Sequence, residues 1–209
     1  MALIYKATLD PTKLDLLTAW LPGRSWFPKS GGAELRQLGA FRFDDPANEV
    51  GIETFLVQAG DAVLQVPLTY RSAPVAGAED YLIGTTAHSV LGTRWVYDGC
   101  GDPVWATALA TVVLTGGTQV EELVQTGTEL VPRRPTATVA GSGTDSAPVP
   151  PITAVTSHDQ DETTVVQAEG VELTVVRVIR AGVSGATLTG RWGDGESAVL
   201  AGVRASGRP

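Results

Sequence analysis

Ile52-Glu-Thr-Phe-Leu-Val57, then Ala59-Gly60-Asp61, then Ala62-Val-Leu-Gln-Val-Pro-Leu-Thr-Tyr70, decides the fold class. Two strand-length apolar runs separated by so short a turn read as an antiparallel hairpin. Pro67 lies inside the second run and cannot donate to a ladder, which predicts an edge position or a bulge there. Upstream, Phe41 and Phe43 alternate around Arg42, and Asp44-Asp45-Pro46-Ala-Asn48 marks a turn. Downstream, Thr93 to Tyr97 reads as a strand that ends in the turn Asp98-Gly-Cys-Gly101.

Two helices frame these strands. After a strand over Leu3 to Leu9, Asp10 offers an N-cap and Pro11 a first helical residue. Leu14, Leu17 and Leu21 share one helical face with Trp20, and Pro22-Gly23 ends the helix. Asp102-Pro103 repeats the same start signal. Val104 to Leu114 is apolar nearly all round, which predicts a largely buried helix closed by Gly116-Gly117. Residues 76–82 read as a helical turn.

Val120 to Val131 reads as one further strand. Pro132 to Glu162 holds five prolines, a Gly141-Ser-Gly143 run and an acidic patch, the composition of a mobile loop. Strands follow at Thr163–Ala168, Glu172–Arg180, Ala186–Trp192 and Ala198–Arg204, with turns at Gly170 and Gly193-Asp-Gly195. Four short strands with few aromatics bury little alone, so they are expected to complete the first sheet. The reading is a single α+β domain over residues 1–209: one mostly antiparallel sheet packed by two main helices, interrupted by a mobile loop at about 132–162.

Composition excludes several functions. The net charge of −8 argues against a nucleic-acid footprint and against an anionic membrane as partner. Cys100 is the single cysteine, so neither an internal disulfide nor a cysteine-cluster zinc site can form. No stretch approaches ~18 apolar residues, and the N-terminus lacks the basic start and apolar core of a signal peptide. A cytoplasmic protein is the expectation. Twelve arginines against three lysines, with abundant Ala, Gly and Val, fit a GC-rich genome.

Catalytic patterns are missing from these residues. Lys6, Lys13 and Lys29 are the only lysines, none placed late in a strand after a glycine-rich hairpin as nucleotide binding by a kinase requires. No Gly-x-x-x-x-Gly-Lys-Ser/Thr phosphate loop occurs. His88 and His158 lie far apart, and each reads as a loop histidine: hydrogen-bonded for His88, solvated for His158. Gly141-Ser-Gly143 reads as a linker, since no helix follows to make a nucleophile elbow. Cys100 reads as a buried, inert thiol. Asp98 and Asp102 could pair for acid–base work, yet turn and N-cap chemistry accounts for both. The best binding candidate is aromatic. Trp95, Tyr97 and Trp105 flank the turn that carries Asp98, and flat rings beside carboxylates suit carbohydrate stacking. The alternative is that this face is core beneath the second helix. Neither a cofactor nor a metal is expected.

Val66-Pro-Leu-Thr-Tyr-Arg71, Ile83-Gly-Thr85, Trp95-Val-Tyr-Asp-Gly99 and Asp102-Pro103 together resemble the N-terminal cap domain of actinobacterial maltokinases, especially stand-alone cap-like proteins without kinase lobes. The resemblance runs from Leu3 to about Leu114. It implies a curled antiparallel sheet, often compared with cystatin-like proteins, with helices packed on it. In maltokinases the nucleotide and maltose sites lie in the lobes, so the resemblance carries over no catalytic residue. Such relatives are often labelled glucan-branching, a reaction that needs a large barrel with several carboxylates. Implied instead is a non-catalytic accessory or regulatory protein of α-glucan, trehalose or maltose metabolism, including glycogen. Its partner would be a sugar kinase or another enzyme of that route. The alternative is a small carbohydrate-binding module for α-glucan or maltose. A homodimer would use the same kind of exposed sheet edge.

Overall fold

The computed structural model describes residues 2–4, 7–29, 34–126 and 129–206. Along the chain come β1 (Ala2–Ile4), β2 (Leu9–Asp10), α1 (Lys13–Trp20), β3 (Leu35–Phe43), β4 (Gly51–Ala59), β5 (Ala62–Arg71), β6 (Leu82–His88), β7 (Gly92–Asp98) and α2 (Pro103–Thr115). There follow β8 (Glu122–Thr126), β9 (Glu129–Arg133), β10 (Ala137–Gly141), β11 (Thr156–Gln160), β12 (Thr163–Ala168), β13 (Val171–Val176), β14 (Ala186–Trp192) and β15 (Glu196–Ala205). The fold is α+β and mostly antiparallel, with a curled six-stranded sheet of order β2-β6-β7-β5-β4-β3. A second six-stranded sheet has the order β10-β14-β15-β13-β12-β11, and β1-β8-β9 form a third, in which β1 and β8 pair in parallel.

The hairpin read from Ile52 to Tyr70 is β4–β5, in unbroken register from Gly51↔Tyr70 to Ala59↔Ala62. Both faces of β4 are buried, which explains its continuous apolar run. Phe55 and Val57 meet Leu16, Leu17 and Leu21 of the α1 region, whereas Ile52 and Leu56 meet α2. The core on the α2 side is shared. Trp105, Leu109 and Val113 pack among Phe41 and Phe43 of the first sheet and Leu173, Leu188 and Leu200 of the second.

Several expectations are corrected. Helix α1 starts later than Asp10-Pro11 suggests. Thr12 is the N-cap and forms a reciprocal capping box with Asp15, while Asp10 pairs with Ala87 in β2. The strand read over Leu3–Leu9 is divided between β1 and β2, and its residues 5 and 6 lie outside the described residues.

Pro67 is neither on an edge strand nor at a bulge. On the side away from β4, the N–H of Gln65 donates to Arg177 O and the O of Val63 accepts from Ile179 N, whereas β7 pairs only with Leu68–Arg71. Two residues beyond Gln65, the nitrogen of Pro67 faces the gap between these two neighbours, so no ladder bond is lost.

The strand read over Val120–Val131 is instead the β8–β9 hairpin, whose residues 127–128 are not described. The segment read as a loop, 132–162, contributes β10 and β11 to the second sheet, and Ala137, Val139 and Ile152 are buried. The C-terminal strands therefore do not complete the first sheet. With β10 and β11 added and α2 covering one face, they bury a full apolar surface of their own. The expected linker Gly141-Ser-Gly143 closes the C-terminus of α2. Gly143 N and Thr144 N donate to Val113 O and Leu114 O, carbonyls that the helix cannot satisfy internally. Backbone approaches backbone so closely that a Cβ on Gly143 would overlap Leu114 O.

Candidate functional site

The turn after β7 places the four residues read as a carbohydrate platform. Asp98 Oδ1 accepts from Cys100 N at 3.1 Å, which shapes the 3-10 turn Gly99–Gly101. Asp102 caps α2 by accepting from Val104 N, and a two-pronged Arg71 guanidinium holds it at 2.8 and 2.9 Å. Trp105 is 2% exposed, its ring 2.9 Å from the place where a Cβ on Gly99 would stand. Tyr97 is also buried, and its hydroxyl accepts from Val75 N at 2.9 Å. Asp98 is buried too, while Trp95 is half-buried. Tyr97 and Trp105 thus present no open ring face on which a sugar could stack. Cys100 is fully buried, and burial pushes its thiol pKa well above the usual range. His88 Nδ1 accepts from Val90 N and Leu91 N and shapes the turn after β6; His158 lies exposed on β11.

The structure joins Asp98 to a residue that sequence reading passed over. Arg177, just after β13, is 1% exposed, donates from Nη2 to Asp98 Oδ2, and donates from Nε to Thr164 Oγ1 at 2.8 Å. Its guanidinium lies 5.0 Å from the Trp26 ring. Burial opposes its charge, but Asp98 keeps its pKa above the ordinary arginine value. Nη1 has no hydrogen-bond partner. Arg177 lines a cleft of about 130 Å3 with Trp20, Arg24, Trp26, Asp80 and Asp159. A signal was present in Val175-Val-Arg-Val-Ile179, where a lone charge inside an apolar run asks for a buried partner.

A second buried ionic cluster sits under α1. Glu53 on β4 receives Lys13, Arg42 at 3.0 Å and the Tyr70 hydroxyl at 2.9 Å, all on one carboxylate oxygen. Burial raises its pKa, but Arg42 and Lys13 outweigh that and hold it at about 2. Arg42 lies 3.7 Å from Glu122 of β8, so the cluster also ties the small sheet to the first large one.

The small sheet ends in an open edge. Every residue of β9 is exposed, Leu130 at 54% and Val131 at 44%, and among the described residues β9 pairs only with β8. Neighbouring residues of a strand point to opposite faces, so both faces of this hairpin present apolar surface.

Among the described residues, no group of three or more His, Cys, Asp or Glu is placed to hold a metal ion, and no helix is long and apolar enough to cross a membrane. Among curated proteins, none matches the chain. Residues 20–102 match the family model of the maltokinase N-terminal cap domain. That span runs from the last residue of α1 to the N-cap of α2 and takes in β3 to β7, five of the six strands of the first sheet. Residues 20–102, less than half of the chain, are thus similar to the maltokinase N-terminal cap domain, and the first sheet is the part of the fold that carries the similarity.

Proposed function

We propose that this protein is a non-catalytic accessory or regulatory partner in α-glucan, maltose or trehalose metabolism, acting in the cytoplasm by docking on a sugar kinase or another enzyme of that route. The observation that carries the reading is the open edge of β9. Its outer backbone groups, unpaired among the described residues, can add a strand from a partner, and Leu130 and Val131 supply apolar surface beside them. Each such side chain contributes roughly 1.5–3 kcal/mol when fully buried. The cap match supports a kinase as the first partner to try, and the 209 residues carry no kinase motif of their own. Homodimerisation through β9 competes with this reading. The aromatic platform at Trp95, Tyr97, Asp98 and Trp105 gains no support, because three of the four are buried.

The test is titration calorimetry with a purified maltokinase deleted for its own cap, alongside its kinase rate. A saturable complex that changes the rate and is lost in the Leu130→Asp, Val131→Asp double variant supports the proposal. No complex, or a complex indifferent to that variant, overturns docking through β9. Self-association that consumes the edge overturns it in favour of a homodimer.

A further inference from the structure

We infer that Pro132 makes the outer edge of β9 selective: it disfavours a second copy of this chain and leaves the edge open to an antiparallel strand of a different protein. This rests on the docking reading above and adds what such a strand must be. Along an antiparallel ladder, pairs that exchange both N–H···O bonds alternate with pairs that exchange none. Pro132 stands opposite Leu123, and a proline, having no N–H, belongs to a pair that exchanges none. The bonds to β8 therefore fall at Glu129, Val131 and Arg133, and the backbone groups turned outward are those of Leu130 and Pro132. The open edge of β9 thus offers one donor, the Leu130 N–H, and two acceptors, the Leu130 and Pro132 carbonyls.

In side-chain chemistry the strand is matched to itself. Two copies of Glu129-Leu-Val-Pro-Arg133 laid antiparallel about Val131 set Glu129 against Arg133 of the second copy at both ends, and valine against valine between them. Opposite charges and β-branched residues facing across strands are favourable pairs. The backbone opposes this match. Leu130 faces Pro132 of the second copy in both directions, so each Leu130 N–H finds a Pro132 carbonyl while each Leu130 carbonyl finds a nitrogen without hydrogen. Half of the ladder bonds are lost, and two carbonyls are covered unpaired. A register with Leu130 against Leu130 exchanges both bonds there, but it moves Glu129 from Arg133 to Val131 of the second copy. A strand of another protein with no proline at these positions meets neither penalty: it exchanges both bonds with Leu130 and donates a third to the Pro132 carbonyl. Charge complementarity then sets its order from N- to C-terminus: an acidic residue opposite Arg133, an apolar residue opposite Val131 and a basic residue opposite Glu129. That is the pattern of β9 itself without the proline.

The experiment is sedimentation equilibrium of the full chain over a concentration series, beside Pro132→Val. That variant restores both missing donors and should dimerise at least ~10-fold more tightly than the unaltered protein. Adding Glu129→Arg to it sets arginine against arginine and should undo the gain. A second measurement titrates the unaltered protein, followed by amide NMR, with two end-blocked peptides, Glu-Leu-Val-Val-Arg and Glu-Leu-Val-Pro-Arg. The first should shift the Leu130 amide and bind at least ~3-fold more tightly, since it makes one more hydrogen bond. Equal dimerisation of the unaltered protein and Pro132→Val overturns the inference. So does a gain that Glu129→Arg leaves intact, or peptides that bind alike or not at all. Those results leave docking on a kinase untouched, whereas a kinase that fails to bind removes the docking reading and leaves the selectivity of the edge standing.

Discussion

Glu53 and Arg177 are both buried charges that join separate parts of the fold, and they are satisfied to different degrees. Glu53 is enclosed by an ammonium, a guanidinium and a phenol, which converge on one oxygen from α1, β3 and β5. Arg177 meets one carboxylate, one hydroxyl and one ring face, and its buried Nη1 has no hydrogen-bond partner. The first arrangement holds elements together through one carboxylate oxygen with three partners, although Arg42 Nε within it also lacks a hydrogen bond. The second spreads its hydrogen bonds over two different side chains and buries one nitrogen unpaired. The two buried charges thus differ in how many partners converge on one atom.

This contrast can be broken experimentally. The largest effect should come from Glu53→Gln, which leaves Lys13 and Arg42 buried without their common counter-ion. A loss of about 3–5 kcal/mol is expected in urea denaturation. The same carboxyl sets an acid limit. Its folded pKa of about 2 lies below the ordinary 4.5, so its stabilisation is complete above pH 4.5 and is lost as pH falls from there toward 2. The drop should be on the order of 3 kcal/mol, and a pH series on Glu53→Gln should show that much less acid sensitivity.

Arg177→Met should cost less, about 1–3 kcal/mol, because Asp98 retains Cys100 N and faces a cleft that admits water. A loss equal to that of Glu53→Gln would mean that the two sites are equally structural. Smallest is Leu130→Asp on β9, which should shift stability within ±0.5 kcal/mol, since a residue 54% exposed makes little use of the core. A larger loss would show that the edge is needed by the fold and is not free for a partner.

The sequence shows the β4–β5 hairpin and α2 plainly, because local chemistry and tertiary burial agree there. Ala59-Gly60-Asp61 has room only for a turn, and Asp102-Pro103 with Gly116 marks both ends of a helix. Around α1 two adjacent cap formers competed. Asp15, three residues after Thr12, was the cue that favoured Thr12 over Asp10. Strands β10 and β11 were hidden because the prolines beside them dominate composition, and four of the five residues of β11 are exposed, leaving little apolar alternation to read. At the candidate site, Trp95, Tyr97, Asp98 and Trp105 were found as residues, but their burial was not legible. Whether a ring is platform or core depends on what covers it, and the cover over Trp105 includes the distant second sheet. Arg24 and Arg177 line one cleft from positions more than 150 residues apart, a juxtaposition that no local pattern encodes.

The Gly141-Ser-Gly143 closure of α2 bears on the order in which the chain can assemble. A helix made at residues 103–115 waits for residues 143 and 144 before its last carbonyls are answered, and its inner face waits still longer, for β14 and β15. A truncation ending at Thr115 would keep the whole matched region yet leave α2 frayed, with one flank bare to solvent. The matched region thus shares its core, through α2, with strands that come last in the chain, and cutting those strands away would bare part of it.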